Sequence, residues 1–531
     1  MAALPVASLC LAALAAADLA VLGAYVLLLL AVGWWLARRE NTTASDYFLA
    51  SRSMPVWAVS LSILATAQSA ATFMGAPEQG AKGDLRYLLL NAGVVIAAVI
   101  VSTVFLPRYF AMNAQTPYEL LERGSGPITR RWASVWYLGG RLMASGARVY
   151  IGAVPFCLAV FGDVHWWGLL VCIAVFMAFG AAFTLASGAR GAIWTDVVQV
   201  AVYLGAALVI GLVLLNKLPG GEPGLLARIL KGPDGNGLTF IGPLSDNFDL
   251  TRPFTPLTAI TGWMLLNLAF FAMDQDLTQR LLSCKSAAAA ARSLLLNTVV
   301  ITLPVVAGFV ALGILLRMYF RDVSAGSALV GDDRMIVQFA MAHSPAGVAG
   351  LMLAGVLAAG PAGINSSLNA MASSFMADLY RPLAPGQSEA HYLRTGKLAT
   401  VVIGAAMACF AALCVYWHAS GGKSIIDFAL GVMVYAYAGL IGVFAAVIVT
   451  GHIRPAYAIG GLLAGLGSVI AMQFINVGWF VNNVLGISTV GTTMATPWQL
   501  VIGASISFTI AMLGTARPAS LATTAAAATP R

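Results

Sequence analysis

Charge is scarce in this chain. Only 9% of its 531 residues are Asp, Glu, Lys or Arg, against roughly 25% in an ordinary soluble domain. So few charges cannot cover a water-facing surface, and 60% hydrophobic residues exceed what a soluble core can hide. Histidine is scarcer still. The five histidines, His165, His343, His391, His418 and His452, fall in or near loops and form no HxxxH or HExxH set, and no nucleophile and base accompany them, so the sequence does not read as an enzyme. Cysteine occurs six times, at Cys10, Cys157, Cys172, Cys284, Cys409 and Cys414, without CxxC or metal-type spacing; these thiols read as packing residues. The net charge of +8 is spread over short loops rather than gathered on one basic face, which points to topology and away from nucleic acid.

What the chain has in quantity is apolar stretches, each long enough to cross a hydrocarbon layer about 30 Å thick as a helix. They fall near 19–37, 54–80, 87–110, 130–161, 164–186, 191–217, 255–280, 288–317, 345–378, 395–417, 424–450, 455–475 and 497–514, about thirteen spans. Little sequence is left for a soluble domain, so the reading is an all-α polytopic membrane protein with one transmembrane domain. With the N-terminus outside, the inner loops carry Arg38, Arg39, Arg52, Arg108, Arg123, Arg130, Arg131, Arg190, Arg280, Lys285, Arg292, Arg381, Arg394, Lys397 and Arg454, followed by Arg517 and Arg531, the majority of the 29 cations. The positive-inside rule then gives a multi-pass protein of the plasma (inner) membrane, N-terminus outside and C-terminus cytoplasmic. The outer loop 218–254 is rich in Gly, Pro and Asp and reads as irregular, with a short helix near Gly224 to Lys231. Pro117 to Arg123 reads as a short amphipathic helix along the inner face, and 515–531 as a disordered tail. Residues 1–18 are apolar but lack a basic start, which does not favour a cleaved signal peptide.

Polar residues interrupt the apolar spans at particular places. The run Ala65-Thr66-Ala67-Gln68-Ser69-Ala70-Ala71-Thr72 lies in the middle of 54–80, where a plain lipid-facing helix would carry no such cluster; the alternative is polar glue between helices. Asn267 stands near the middle of 255–280. Arg141 and Arg148 are seven residues apart on 130–161, roughly on one face, and arginine deep in a membrane normally faces the bundle interior or a wet cavity. A guanidinium fork matches a carboxylate solute; a structural ion pair, or snorkelling for Arg141, is the competing reading. Asp196, a few residues inside 191–217, is costly unless paired or ligating, or else hydrated from the helix end.

Several segments together resemble the sodium:solute symporter family. They are Asp46-Tyr47-Phe48-Leu49-Ala50-Ser51-Arg52 leading into Ala65 to Ala70, then Tyr118-Glu119-Leu120-Leu121-Glu122-Arg123, Trp194-Thr195-Asp196-Val197-Val198-Gln199, Asp274-Gln275 with Gln279-Arg280 and Lys285-Ser286, and Gly350 to Tyr380 ending Met376-Ala377-Asp378-Leu379-Tyr380. The resemblance implies a leucine-transporter-like fold: a 5+5 inverted repeat over 54–217 and 255–450, one extra N-terminal helix at 19–37 and two extra C-terminal helices over 455–514. In such transporters the first helix of each repeat is broken near mid-membrane, and the freed backbone holds ion and solute. Short matches at Gln68-Ser69-Ala70 and Gly75-Ala76-Pro77-Glu78 look like the monocarboxylate and vitamin branch. The charged contacts of the sugar branch would align with Ile301 and Asn91, neither charged, so a hexose is not expected.

By the same resemblance, one Na+ position would use the backbone carbonyls of Ala65, Gln68 and Ala359 and two hydroxyls that here are Ala362 and Gly363. That departure removes two oxygens, though Pro361, Gly360 and Gly363 leave helix carbonyls free. A second position would use Asp196, Asn365 and Ser366. The solute cavity is expected to take Gln68, Thr72, Asn91, Arg141, Arg148, Asn267, Phe270 and Tyr435, with Tyr437 nearby. The functional expectation is a secondary active transporter carrying a small organic solute, a carboxylate or amino acid, by alternating access. Na+ is the expected coupling ion, H+ the other candidate, and no cofactor is involved; the partners are solute, cation and lipid bilayer. An uncoupled uniporter or channel-like carrier, and a non-transporting sensor, are the alternatives.

Overall fold

The computed structural model describes residues 15–37, 44–68, 70–83, 85–161, 164–218, 241–322, 335–418, 425–484 and 493–515. Among them the regular structure is helical, the sole β feature being an isolated bridge between Ile453 and Thr515. Helices satisfy their own backbone groups, as spans without water must. Apart from short helices such as Ala44–Leu49, Glu119–Ser125, Met335–Ala342 and Val477–Asn483, in chain order they are α1 (Ala16–Ala37), α2 (Val56–Ala67), α3 (Ala70–Ala81), α4 (Leu85–Ala111), α5 (Pro127–Phe161), α6 (Trp166–Leu185), α7 (Gly188–Lys217), α8 (Pro256–Ala272), α9 (Gln275–Leu282), α10 (Ala287–Arg321), α11 (Val348–Leu383), α12 (Glu389–Tyr416), α13 (Ile425–Thr450), α14 (Pro455–Met472) and α15 (Thr496–Met512).

Among the described residues nine helices are long and apolar enough to cross a membrane, and the pairs α2 with α3 and α8 with α9 would do so as bent units. The 35-residue α5 and the 17-residue α15 lie at the remaining expected positions. The pairs bend by 70° and 55°. Chain geometry explains both bends. Gln68 leaves the helix with φ −80° and ψ 146°, and Asp274 does so with φ −87° and ψ 119° while its carboxylate caps the amide of Asp276 at 2.9 Å. The bends fall in the first spans of the two stretches, 54–217 and 255–450, read above as repeats.

The centre of the bundle is α11, whose apolar stretch is 79% buried, whereas that of α1 is 22% buried. That contrast makes α1 peripheral. It is tied down by Asp18, whose Oδ1 accepts from the Gly347 and Gly350 amides at 2.8 and 2.9 Å, filling unsatisfied donors at the start of α11. Close helix contacts rest on small residues, the usual solution where lipid is as apolar as leucine. A Cβ at Gly313 of α10 would lie 1.9 Å from the Pro77 carbonyl of α3. Gly188, at φ 60°, turns the chain between α6 and α7, and a side chain there would meet the Tyr47 carbonyl at 2.7 Å.

The short helix expected at Pro117 to Arg123 spans Glu119–Ser125, with Leu120 and Leu121 buried. Gly224 to Lys231 and residues 516–531 lie outside the described residues.

Candidate functional site

At the bend between α2 and α3 lies a cavity of about 180 Å3 lined by Gln68, Thr72, Asn91, Arg148, Asn267 and Phe270, together with Tyr87, Trp263, Asn297, Thr302, Met433 and several aliphatic side chains. Arg148 Nη1 donates to the Thr66 carbonyl at 3.0 Å, one of the last carbonyls of α2 and so short of an intrahelical partner. Its Nη2 lies 3.8 Å from Met433 Sδ. No carboxylate among the described residues is within ion-pair distance of this guanidinium. Asn91 and Asn267 donate through Nδ2 to the Leu88 and Trp263 carbonyls at 3.1 and 2.8 Å, which leaves their Oδ1 atoms as acceptors. Asn297 is fixed by the Ser60 carbonyl at 2.8 Å.

Phe270 separates this cavity from a buried ionic network. The guanidinium carbons of Arg141 and Arg148 each lie 5.9 Å from the centroid of its ring. Arg141 itself bonds Asp274 Oδ2 at 2.8 Å, Asp276 Oδ2, and Ser367 Oγ at 3.0 Å. The Tyr437 hydroxyl also donates to Asp274. Asp276 accepts from Ser366, from Ser367 at 2.9 Å and from Arg280. Arg280 reaches on to Asp196 Oδ2 at 2.9 Å and to Ser62 Oγ at 2.7 Å, and Ser62 donates to Asp196. One network thus ties α2, α5, α7, α9, α11 and α13. A separate cluster joins Arg130 to Asp378 at 2.7 Å and Glu122 at 2.6 Å, with Thr116 and Ser374 on Asp378.

The residues expected to hold cations lie as follows. Ala65 and Gln68 line a small void with Gln199, Tyr203 and Ala358, and the Oε1 atoms of Gln68 and Gln199 are buried without a partner. The helix runs unbroken through Ala359 and Ala362. At the second position, Asp196 Oδ1 and Asn365 Oδ1 are buried without partners, while Ser366 bonds Asp276. Orphaned buried oxygens are what a hard-cation site offers. The fit is better around Asp196, which adds a formal charge.

The structure brings Gln68, Thr72, Asn91, Arg148, Asn267 and Phe270 to one cavity. It does not bring Arg141 or Tyr435 to that wall. Arg141 is 3% exposed and fully engaged by Asp274, Asp276 and Ser367, the structural ion pair weighed in the sequence, and half-buried Tyr435 is not among the lining residues. Sequence reading missed Asp276, Ser62, Ser367, Asn297 and Trp263. Asp276 and Arg280, four apart within an apolar span, carried a signal, since such a pair must be matched inside the bundle; the others gave none.

Broken helices opening on a largely apolar cavity that carries a few amide and guanidinium groups, beside a buried ionic network, define a membrane carrier. A profile of the sodium:solute symporter family matches residues 47–466. The chain is 26% identical to a sodium/sialic acid symporter of Proteus mirabilis (strain HI4320), over 88% of this chain and 92% of that protein. It is 26% identical to the human sodium-coupled monocarboxylate transporter 1, over 80% and 67%, and to the human sodium/iodide cotransporter, over 85% and 68%. A solved substrate-bound, outward-open structure of a Na+-coupled sialic acid symporter superposes with a TM-score of 0.77 at 22% identity, covering 94% of this chain and 97% of that one, which shows the leucine-transporter-like fold. The chain belongs to the sodium:solute symporter family. It is a multi-pass membrane protein that couples Na+ to the movement of a small organic solute, and not an enzyme.

Proposed function

We propose that the solute is a small monocarboxylate, held by Arg148 and moved with Na+ by alternating access. The observation that carries this reading is the half-buried Arg148 guanidinium in the cavity wall, without a counter-charge among the described residues. Arginine kept inside a membrane is expensive, and a carboxylate gives it the bidentate partner it lacks. Asn91 and Asn267 offer acceptors for a hydroxyl or amide on the same molecule, and Trp263 and Phe270 an apolar body contact. Among the described residues no Asp or Glu lines the cavity, which favours an acid over the ammonium of an amino acid. Relatives named for sialic acid and for monocarboxylates support an acid. Na+ is assigned to the Asp196 position, whose Oδ1 is buried without a partner. The two stretches 54–217 and 255–450 act as the inverted repeats, α1 and the last two helices being peripheral. The loop cations favour the plasma (inner) membrane with the N-terminus outside and the C-terminus cytoplasmic.

The test is a thermal-shift screen of lactate, pyruvate, nicotinate, N-acetylneuraminate and their amides, each in Na+ and in K+, since a ligand stabilises the state it binds. A carboxylate that stabilises wild type in Na+ and loses that effect in Arg148→Gln is the expected result. Undiminished stabilisation of Arg148→Gln by a carboxylate would defeat the assignment.

A further inference from the structure

Among the described residues, the formal charges around the cavity and its network balance. Arg141, Arg148 and Arg280 face Asp196, Asp274 and Asp276 around the cavity and the network beneath it; five of them are linked directly by ion pairs, and Arg148 adjoins Arg141 across the Phe270 ring. Each of the three carboxylates accepts from at least one guanidinium. The Arg130 cluster stands apart and is matched by its own partners, Asp378 and Glu122. Among the described residues the cavity and its network therefore hold three formal positive and three formal negative charges.

From this balance we infer that the carrier is electroneutral, moving one Na+ with one monocarboxylate. The inference rests on the solute reading above. A carboxylate alone would leave one net negative charge buried, and Na+ alone one net positive charge; both forms are costly in a medium where charges interact strongly. Only the empty and the doubly loaded forms are neutral, so only these reorient readily, and that is coupling. Two features hold the cation number at one. Ala362 and Gly363 supply no hydroxyls at the other position, and Asp196 Oδ1 is the orphaned charged oxygen left for a cation. Cation and solute then sense each other through charge, without contact between them.

The first test uses Na+ alone on the purified full-length carrier, following the unfolding midpoint as NaCl replaces choline chloride at constant ionic strength. Arg148→Gln leaves the centre one charge negative, so half-saturation by Na+ falls about tenfold, while Arg148→Lys, which keeps the charge, stays near wild type. A half-saturation in Arg148→Gln equal to or above that of Arg148→Lys overturns the inference. A second arm needs no variant. In proteoliposomes offered 22Na+ with labelled lactate or N-acetylneuraminate, the flux ratio is one to one, and an inside-negative potential set with K+ and valinomycin leaves uptake unchanged. Uptake that rises steeply with that potential means net positive charge moves, as with two Na+ per carboxylate, and overturns it. Failure of every carboxylate to bind wild type, with the Na+ shift of Arg148→Gln intact, defeats the solute reading and spares the charge balance.

Discussion

Asp196 and Arg280, 84 residues apart in sequence, meet at 2.9 Å with Ser62 bonded to both. The contact joins α7 to α9 and anchors both to α2, just before its bend. Because Arg280 also holds Asp276, loss of Asp196 leaves its guanidinium half-matched. Asp196→Ala is expected to cost about 3 kcal/mol of stability and to abolish the difference between Na+ and K+ in thermal shift. The double variant Asp196→Leu, Arg280→Met is expected to recover stability but not Na+ sensitivity, as measured by unfolding in detergent.

Arg148→Lys retains a positive charge but loses the planar fork. Carboxylate affinity is expected to fall about 30-fold in this variant and about 100-fold or more in Arg148→Gln, equivalent to roughly 2–3 kcal/mol for a charge-assisted pair. Equilibrium binding of the best carboxylate from the thermal screen checks both values. Arg141→Lys should instead show up first as instability, because that residue serves the network and not the cavity wall.

The position short of hydroxyls can be refilled. Open space surrounds a Cβ at Gly363, so Ala362→Ser with Gly363→Ser is expected to add a second Na+, raising the Hill coefficient for Na+ from one toward two and making uptake respond to membrane potential. Concentration dependence of uptake in proteoliposomes reads this directly.

Asp18→Ala removes the acceptor that fills the start of α11. A lost cap of this type costs about 1 kcal/mol, and Asp18→Asn should recover part of it. Limited proteolysis near residues 15–37 should accelerate in the alanine variant, as the peripheral helix loosens.

Gly313→Ala places a methyl 1.9 Å from the Pro77 carbonyl. Backbone cannot yield as a side-chain tip would, so α3 and α10 must separate, at a cost of about 1–3 kcal/mol. The midpoint of thermal unfolding is expected to fall while Na+ selectivity persists.

The spans were legible because a membrane asks for one thing over about 20 residues, and the sequence supplies it repeatedly. The bend at Gln68 was legible too, since Thr66, Gln68 and Thr72 have no reason to interrupt a lipid-facing helix. Arg141 and Arg148 illustrate the limit. Spacing put them on one face, yet a turn or two of depth decides that one meets Asp274 and Asp276 while the other meets an open cavity. That outcome depends on where α9 and α11 pass, which no local pattern encodes. Ser62 and Asn297 were invisible for the same reason: a buried hydroxyl or amide on a helix usually bonds its own backbone, and only the neighbouring charge gives it a role.

The turn at Gly188 has a practical side. Because α6 and α7 are joined through a single left-handed residue pressed against Tyr47, that edge of the molecule presents no loop. Proteases, impermeant labels and inserted epitope tags applied there will find nothing to engage. Mapping of sidedness must therefore start from the connections on either side of this hairpin.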